Sequence, residues 1–528
     1  MKTINMVVFL LFSSFVFAQE HQHEMEKLGH VNFSTSCNAA AQTQFNRAVA
    51  ILHSFGYEEA ANAFSGIAKT DPQCAMAYWG VAMTYYHPIW SPPTPSDLKS
   101  GAEAIEKAKA TGKPTEREKQ FINALSVFYK DSDKVDHRTR AAAYSAGMKE
   151  VAAKNPDDDE AQIFYALALR GTADPKDMTF AIQKQSAEIL NRILKKEPEH
   201  PGIAHYLIHD YDYPGLAELA LPAARIYSKI APSAPHALHM PSHIFTRLGL
   251  WQESIDSNSA SEKAAVEHAQ MMHPGSGSFN ALHAMDYLMY AYLQTGRDAE
   301  AKGVIDRMNA IPKLDQVQPA AAYAIAAIPA RYAIERNRWS EASSLETPLA
   351  WFPWKDFPWA QAITYFARGI GAARSGDVEG AKKDLAKLDE LHQASTNSKD
   401  NYDWATQVEI QQKAVAAWIA LEEKNDDEAL HLMTESAELD DANDKSPVTP
   451  GAIIPSRELL GDMLLEVNQA ANALVAYEKS LSTAPNRFHA LSGAKKAAEL
   501  SGDRTKAESY SAKLKELCGP KCERAALQ

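Results

Sequence analysis

The stretch AQTQFNRAVAILHSFGYEEAANAFSGIAKTDPQC, Ala41–Cys74, decides the fold. With Ala41 as position 1, Ala60 is position 20, Phe64 position 24 and Pro72 position 32. Two amphipathic helical stretches meet at His53–Gly56, and Pro72 ends the second. The same spacing returns from Pro201, with Ala220 at position 20, Tyr227 at 27 and Pro232 at 32. It returns again from Ile454, with Gly461 at 8, Ala473 at 20, Tyr477 at 24 and Pro485 at 32, and from Phe488, with Ala507 at 20. A small residue at position 20 lets paired helices approach closely, and an aromatic near the middle of the second helix fills the space between pairs. Further pairs are predicted at about 161–196, 235–268, 279–310, 319–345, 360–394 and 405–437, with Ala299 and Ala381 as crossing residues.

A 34-residue helix-hairpin period resembles the tetratricopeptide repeat superfamily. The resemblance implies an all-α, right-handed α-α solenoid of such hairpins with irregular insertions. The segments FNRAVAILHSFGYEEAANAF, DPQCAMAYWGVAM, AHYLIHDYD and HMPSHIFTRLG resemble exported bacterial proteins of this type. That resemblance supplies a fold and no reaction. The chain divides into a leader over 1–18, a polar lead-in over 19–40 and hairpin blocks over 41–160, 161–350 and 351–440. A C-terminal pair over 452–517 and a tail over 518–528 complete it.

The leader MKTINMVVFLLFSSFVFA has a lone early Lys, an apolar run and a small residue before the cut expected after Ala18, which predicts a periplasmic or secreted protein. The run is too short to span a bilayer, and no second one follows. Cleavage leaves 53 basic against 67 acidic residues, a poor balance for binding nucleic acid. In an oxidising compartment the four cysteines are expected to pair as Cys37–Cys74 and Cys518–Cys522, one bridge at each end of the array. His21, third in the mature chain, could hold Cu(II) with a free amino terminus.

Three insertions interrupt the period. His87–Asp97 is rich in proline. Trp351–Trp359, WFPWKDFPW, reads as an aromatic plug or as a lip over a ligand site, and Asp440–Gly451 reads as a plain linker.

Chemistry concentrates between His200 and His283, which holds nine of the 18 histidines. His205 and His209 stand four apart, as do His239 and His243, and His236 precedes His239 by three, so each set shares a helix face. The resemblance places positions 2, 5, 9 and 12 of a unit on the concave groove. His205 and His209 then occupy positions 5 and 9 of one unit, and His236, His239 and His243 positions 2, 5 and 9 of the next. His283 and Asp286 follow in the third. His200 reads as a turn residue, and His268 and His273 flank a loop.

Four or five imidazoles from adjacent helices make one site for a transition metal such as Zn or Cu, or for a small metal-associated ligand. Asp210 or Asp286 would add an oxygen or orient a ring. Pro241 is expected to kink its helix and re-aim His236 and His239 relative to His243. Two other readings stay open: a peptide- or protein-binding groove without metal, and a metal-dependent enzyme. No HExxH, GxSxG, phosphate-binding glycine loop or Cys-x-x-Cys is present to name a reaction.

Overall fold

In the computed structural model, which describes residues 26–89, 92–398 and 402–524, 25 α-helices and one 3-10 turn follow one another and no strand forms among those residues. The leader, His21, Trp90 and Ser91 lie outside the described residues. The helices run α1 Ala39–His53, α2 Tyr57–Thr70, α3 Ala75–Met83, α4 Pro95–Ala110, α5 Glu116–Tyr129, α6 His137–Lys154, α7 Asp159–Arg170 and α8 Ala181–Leu194. The middle of the chain gives α9 Pro201–Tyr211, α10 Ala217–Ile230, α11 Pro235–His239, α12 Pro241–Arg247, α13 Trp251–Met272, α14 Phe279–Gln294 and α15 Asp298–Asn309. Then come α16 Pro319–Ile334, α17 Trp339–Ser343, α18 Pro358–Arg374, α19 Val378–Ser395, α20 Trp404–Glu422 and α21 Asp426–Asp441. The last four are α22 Ser456–Glu466, α23 Ala470–Thr483, α24 Phe488–Ser501 and α25 Arg504–Cys518.

Successive helices pack as antiparallel hairpins stacked into an all-α solenoid. Local sequence sets the boundaries. Thr94 and Thr115 close capping boxes with Asp97 and Glu118, and α9, α11, α12, α16 and α18 open on proline, whose missing N–H costs nothing in a first turn. The crossing residues Ala60, Ala220, Ala381 and Ala473 are all fully buried. Tyr477 packs so closely on Gly461 and Gly493 that a Cβ at either would lie 2.6 or 2.3 Å from its ring. In the α14–α15 pair Ala301 takes the crossing position and Ala299 is exposed, because the period slips there by two residues. Both expected disulfides, Cys37–Cys74 and Cys518–Cys522, are present.

The described part of the polar lead-in, from Glu26, packs against the helices. Phe33 is fully buried among Phe45, Trp79, Phe121 and Phe164, and His30 N–H donates to the Glu199 carbonyl at 3.0 Å. Two apolar cores result, one built from Leu28 to Phe245 and one from Trp251 to Cys518. The solenoid curls back on itself. Trp251 Nε1 donates to the Asn486 carbonyl, and Arg524 pairs with Asp298.

The last two of the three insertions behave differently from each other. In Trp351–Trp359, Phe352, Trp354 and Trp359 are buried, and Trp359 stacks on Trp404 at 3.7 Å, so this segment is a plug. Asp440–Gly451 is no plain linker. It packs back on the histidine-bearing helices, where Asp444 pairs with Arg247, Lys445 donates to Asp212 at 2.9 Å, and the Thr449 carbonyl accepts from Tyr287. Composition alone reads such a segment as solvated; its partners lie some 200 residues away.

Candidate metal centre

Six histidines meet where the two apolar cores adjoin. They form two triads rather than the single site expected from the sequence. His205 and His209 on α9 join His236 on α11, and His239 on α11 joins His243 on α12 and His283 on α14; within each triad the candidate donor nitrogens all lie within 4.8 Å of one another. The division falls within α11, where His236 and His239 stand three residues apart: His236 meets the α9 rings, while His239 meets His243 on the far side of Pro241 and His283 on α14, so the break at Pro241 does not part His239 from His243 as the sequence suggested.

In the first triad His205 Nε2 lies 3.1 Å from both His209 Nε2 and His236 Nε2. In the second, His239 Nε2 lies 3.0 Å from His243 Nε2, and the His283 ring centre is 4.2 Å from that of His239. Across the triads, His209 faces His243 and His236 faces His239 at 6.3 and 6.2 Å between ring centres.

Among the described residues, Nδ1 is tied down in three of the six rings, while His283 Nδ1 is buried without a hydrogen-bond partner. His205 Nδ1–H donates at 2.6 Å to the carbonyl of His53, a free acceptor at the end of α1. His239 Nδ1–H donates at 2.7 Å to Asn258 Oδ1, whose orientation is set because its own amide donates to the Ser254 carbonyl. His243 Nδ1–H donates at 2.9 Å to Asp212. A carbonyl, an amide oxygen and a carboxylate only accept, so in their neutral forms these three imidazoles carry bare Nε2 lone pairs pointing into the triads.

Burial is the main cause that holds His205, His209, His236, His239 and His283 well below the ordinary histidine range and His243 below it; for all but His243 the neighbouring rings act in the same direction. Burial would raise Asp212, but Lys445, Arg247 and the bond from His243 together hold it well below the usual carboxylate range. Phe55, at φ +55°, caps the first triad edge-on to His205 at 4.3 Å.

Neither candidate aspartate joins a triad. Asp210 lies one residue round the helix from His209 and faces Arg170 at 3.6 Å, and Asp286, three residues after His283, is drawn to the buried Arg331. Sequence reasoning missed Asp212, Asn258, Lys445 and the His53 carbonyl. Only Asp212, three residues after His209, gave a local signal. His200 caps α9 as a turn residue and joins His53 in holding buried Glu160, at 3.0 and 3.1 Å. His268 and His273 pair with Glu59 and Glu58 nearer the surface.

A cavity of about 260 Å³ opens onto His209, His236, His243 and His283, two rings from each triad. Pro88 and Ile89 of the proline-rich insertion, Trp404, and Ser446–Val448 of the crossing segment help to wall it. The rings therefore face a cavity that the chain's own insertion and crossing segment help to close. No described helix is long and apolar enough to cross a membrane.

No protein-family profile and no curated protein sequence matches the chain. Among solved structures, the human IFIT1 dimer with PPP-AAAA is 11% identical at a TM-score of 0.38, covering 84% of this chain and 91% of that one. The APC/C hetero-tetramer Cut9–Hcn1 is 12% identical at a TM-score of 0.34, covering 92% and 81%. These are tetratricopeptide-type helical-repeat proteins, and the likeness concerns the fold alone.

Proposed function

We propose that this protein is an exported tetratricopeptide-type scaffold that binds two transition-metal ions, copper or zinc, one in each histidine triad. One observation carries the reading. His239 and His243 present Nε2 atoms 3.0 Å apart while the Nδ1 of each is committed as a donor to Asn258 and Asp212. Two bare lone pairs at that distance repel unless a cation lies between them. A proton is a poor candidate, since burial disfavours the imidazolium. A metal ion takes both lone pairs and His283 as a third ligand. In the first triad His205 Nε2 also carries a bare lone pair, 3.1 Å from the Nε2 atoms of both His209 and His236. Fixed outer nitrogens are what metal-binding imidazoles require.

Burial of all six rings favours a metal over an extended peptide, which would need them on an open face. The leader over 1–18 and the paired cysteines support export. Elemental analysis of untagged protein tests the reading. Two equivalents of metal are expected per chain, and one in a variant combining His205→Ala with His209→Ala, whose circular dichroism should be unchanged. Protein that carries no metal as purified and takes up neither Zn nor Cu would end the proposal.

A further inference from the structure

We infer that the two triads, loaded with copper, act as one centre that oxidises a single-ring ortho-diphenol with dioxygen in the cavity they share. The inference rests on the metal-binding reading above and goes beyond it in three steps.

The first step is coordination. Three protein nitrogens leave a metal ion an open position. His209 and His236 of one triad and His243 and His283 of the other border the same cavity, so one molecule bound there would lie beside ligands of both ions.

The second step is charge. Both triads are wholly neutral donors, and among the described residues lining the cavity there is no Asp or Glu. Metal-assisted hydrolysis needs a base beside the metal-bound water. None of the nearby acids lines the cavity: Asp210 lies against Arg170 at 3.6 Å, Asp286 pairs with Arg331, and Asp212 is held by His243, Arg247 and Lys445. Two uncompensated cations side by side stabilise instead an anionic oxygen ligand spanning both, such as reduced dioxygen or a phenolate. Imidazole-only ligation suits copper, and two coppers cycling between Cu(I) and Cu(II) exchange electrons in pairs. A diphenol gives up two electrons in becoming a quinone.

The third step is the wall. Tyr402, Trp404, Pro319 and Val448 provide apolar and aromatic surface, and Arg170 and Gln183 provide donors. That combination admits a flat ring bearing hydroxyls.

The reaction balances in two halves. One diphenol passes two electrons to two Cu(II), releases two protons and leaves as the ortho-quinone. Two Cu(I) and a second diphenol then give four electrons to one dioxygen. Two protons from that diphenol and the two released earlier complete two waters, a second quinone leaves, and the coppers return to Cu(II).

The test uses the full untagged chain, stripped with chelator and reloaded with Cu(II), with 4-methylcatechol as probe. Expected are two coppers per chain, a Cu(II) EPR signal largely lost to magnetic coupling, and one dioxygen consumed for every two quinones formed. Zinc-loaded protein should consume none. His283→Ala should keep one copper, show an ordinary Cu(II) signal and lose the catechol-dependent uptake. Two coppers with full EPR intensity, no uptake by the copper form, or undiminished uptake by His283→Ala would each overturn the inference while leaving metal binding intact. Absence of bound copper and zinc would overturn the metal reading itself.

Discussion

The proton on His243 has one place to sit, because Asp212 only accepts and lies 2.9 Å from Nδ1. That bond fixes the tautomer that aims the Nε2 lone pair at His239. Replacing Asp212 by Asn keeps the size and removes the charge, which frees the ring to turn. Metal affinity at the second triad should fall by about 10–100-fold, with the first triad unchanged, in a competition titration against a chromophoric chelator. Equal weakening of both sites would mean that Asp212 acts through general stability instead. A second residue-scale prediction concerns His489, far from the triads. Burial would lower it, but the Asp462 carboxylate at 2.9 Å raises it to about 9. Its folded value exceeds the unfolded value of about 6.5, so the native state holds the proton more tightly. The stabilisation is complete below pH about 6.5 and disappears as pH rises through 9, a loss on the order of 3 kcal/mol. Urea denaturation across that window should show the decline in the wild type and a flatter profile in His489→Gln.

Among the elements, the segment Asp440–Gly451 does most to shape the site, and it was the least legible. The hairpins could be read because their signals are local: a small residue where helices cross, an aromatic beside it, and a proline after. The histidine faces could be read because i,i+4 spacing survives any packing of the helix that carries it. Their partition into two triads could not, since it depends on where α9 and α14 dock on either side of α11. The crossing segment was illegible for a different reason. Lys445 meets Asp212 across 233 positions of sequence, and nothing near Lys445 distinguishes it from a solvated lysine. Its burial gives a prediction with two opposite signs. Lys445→Ala removes a buried cation from Asp212, which keeps Arg247 and His243 as partners, and should cost about 1–3 kcal/mol in urea denaturation of the metal-free protein. The same change removes a positive charge from beside the second triad and should tighten metal binding there. A variant less stable and also weaker for metal would show that the segment braces the rings rather than setting their field.

At the scale of the whole molecule, the two apolar cores meet between Phe245 and Trp251, and the second triad spans that seam. His239 and His243 stand on the N-terminal side and His283 on the C-terminal side, whereas His205, His209 and His236 all lie on the N-terminal side. The polar contacts that cross the seam include Arg247 to Asp444 and Lys445 to Asp212, and these are buried ion pairs, which add little net stability in themselves. The metal-free chain should therefore melt in two steps by calorimetry, one for each core. An ion in the first triad stabilises only the N-terminal core, by about 2.7 kcal/mol at a free concentration a hundred times its dissociation constant. An ion in the second triad is bound only while both cores are folded and docked, so its binding energy couples them. Loading with zinc, which avoids redox chemistry, should raise and merge the two transitions. His283→Ala should still raise the N-terminal transition through the first triad but leave the two separate. If zinc raises both transitions equally without merging them, or if His283→Ala merges them as the wild type does, the second triad does not act as a clamp between the halves.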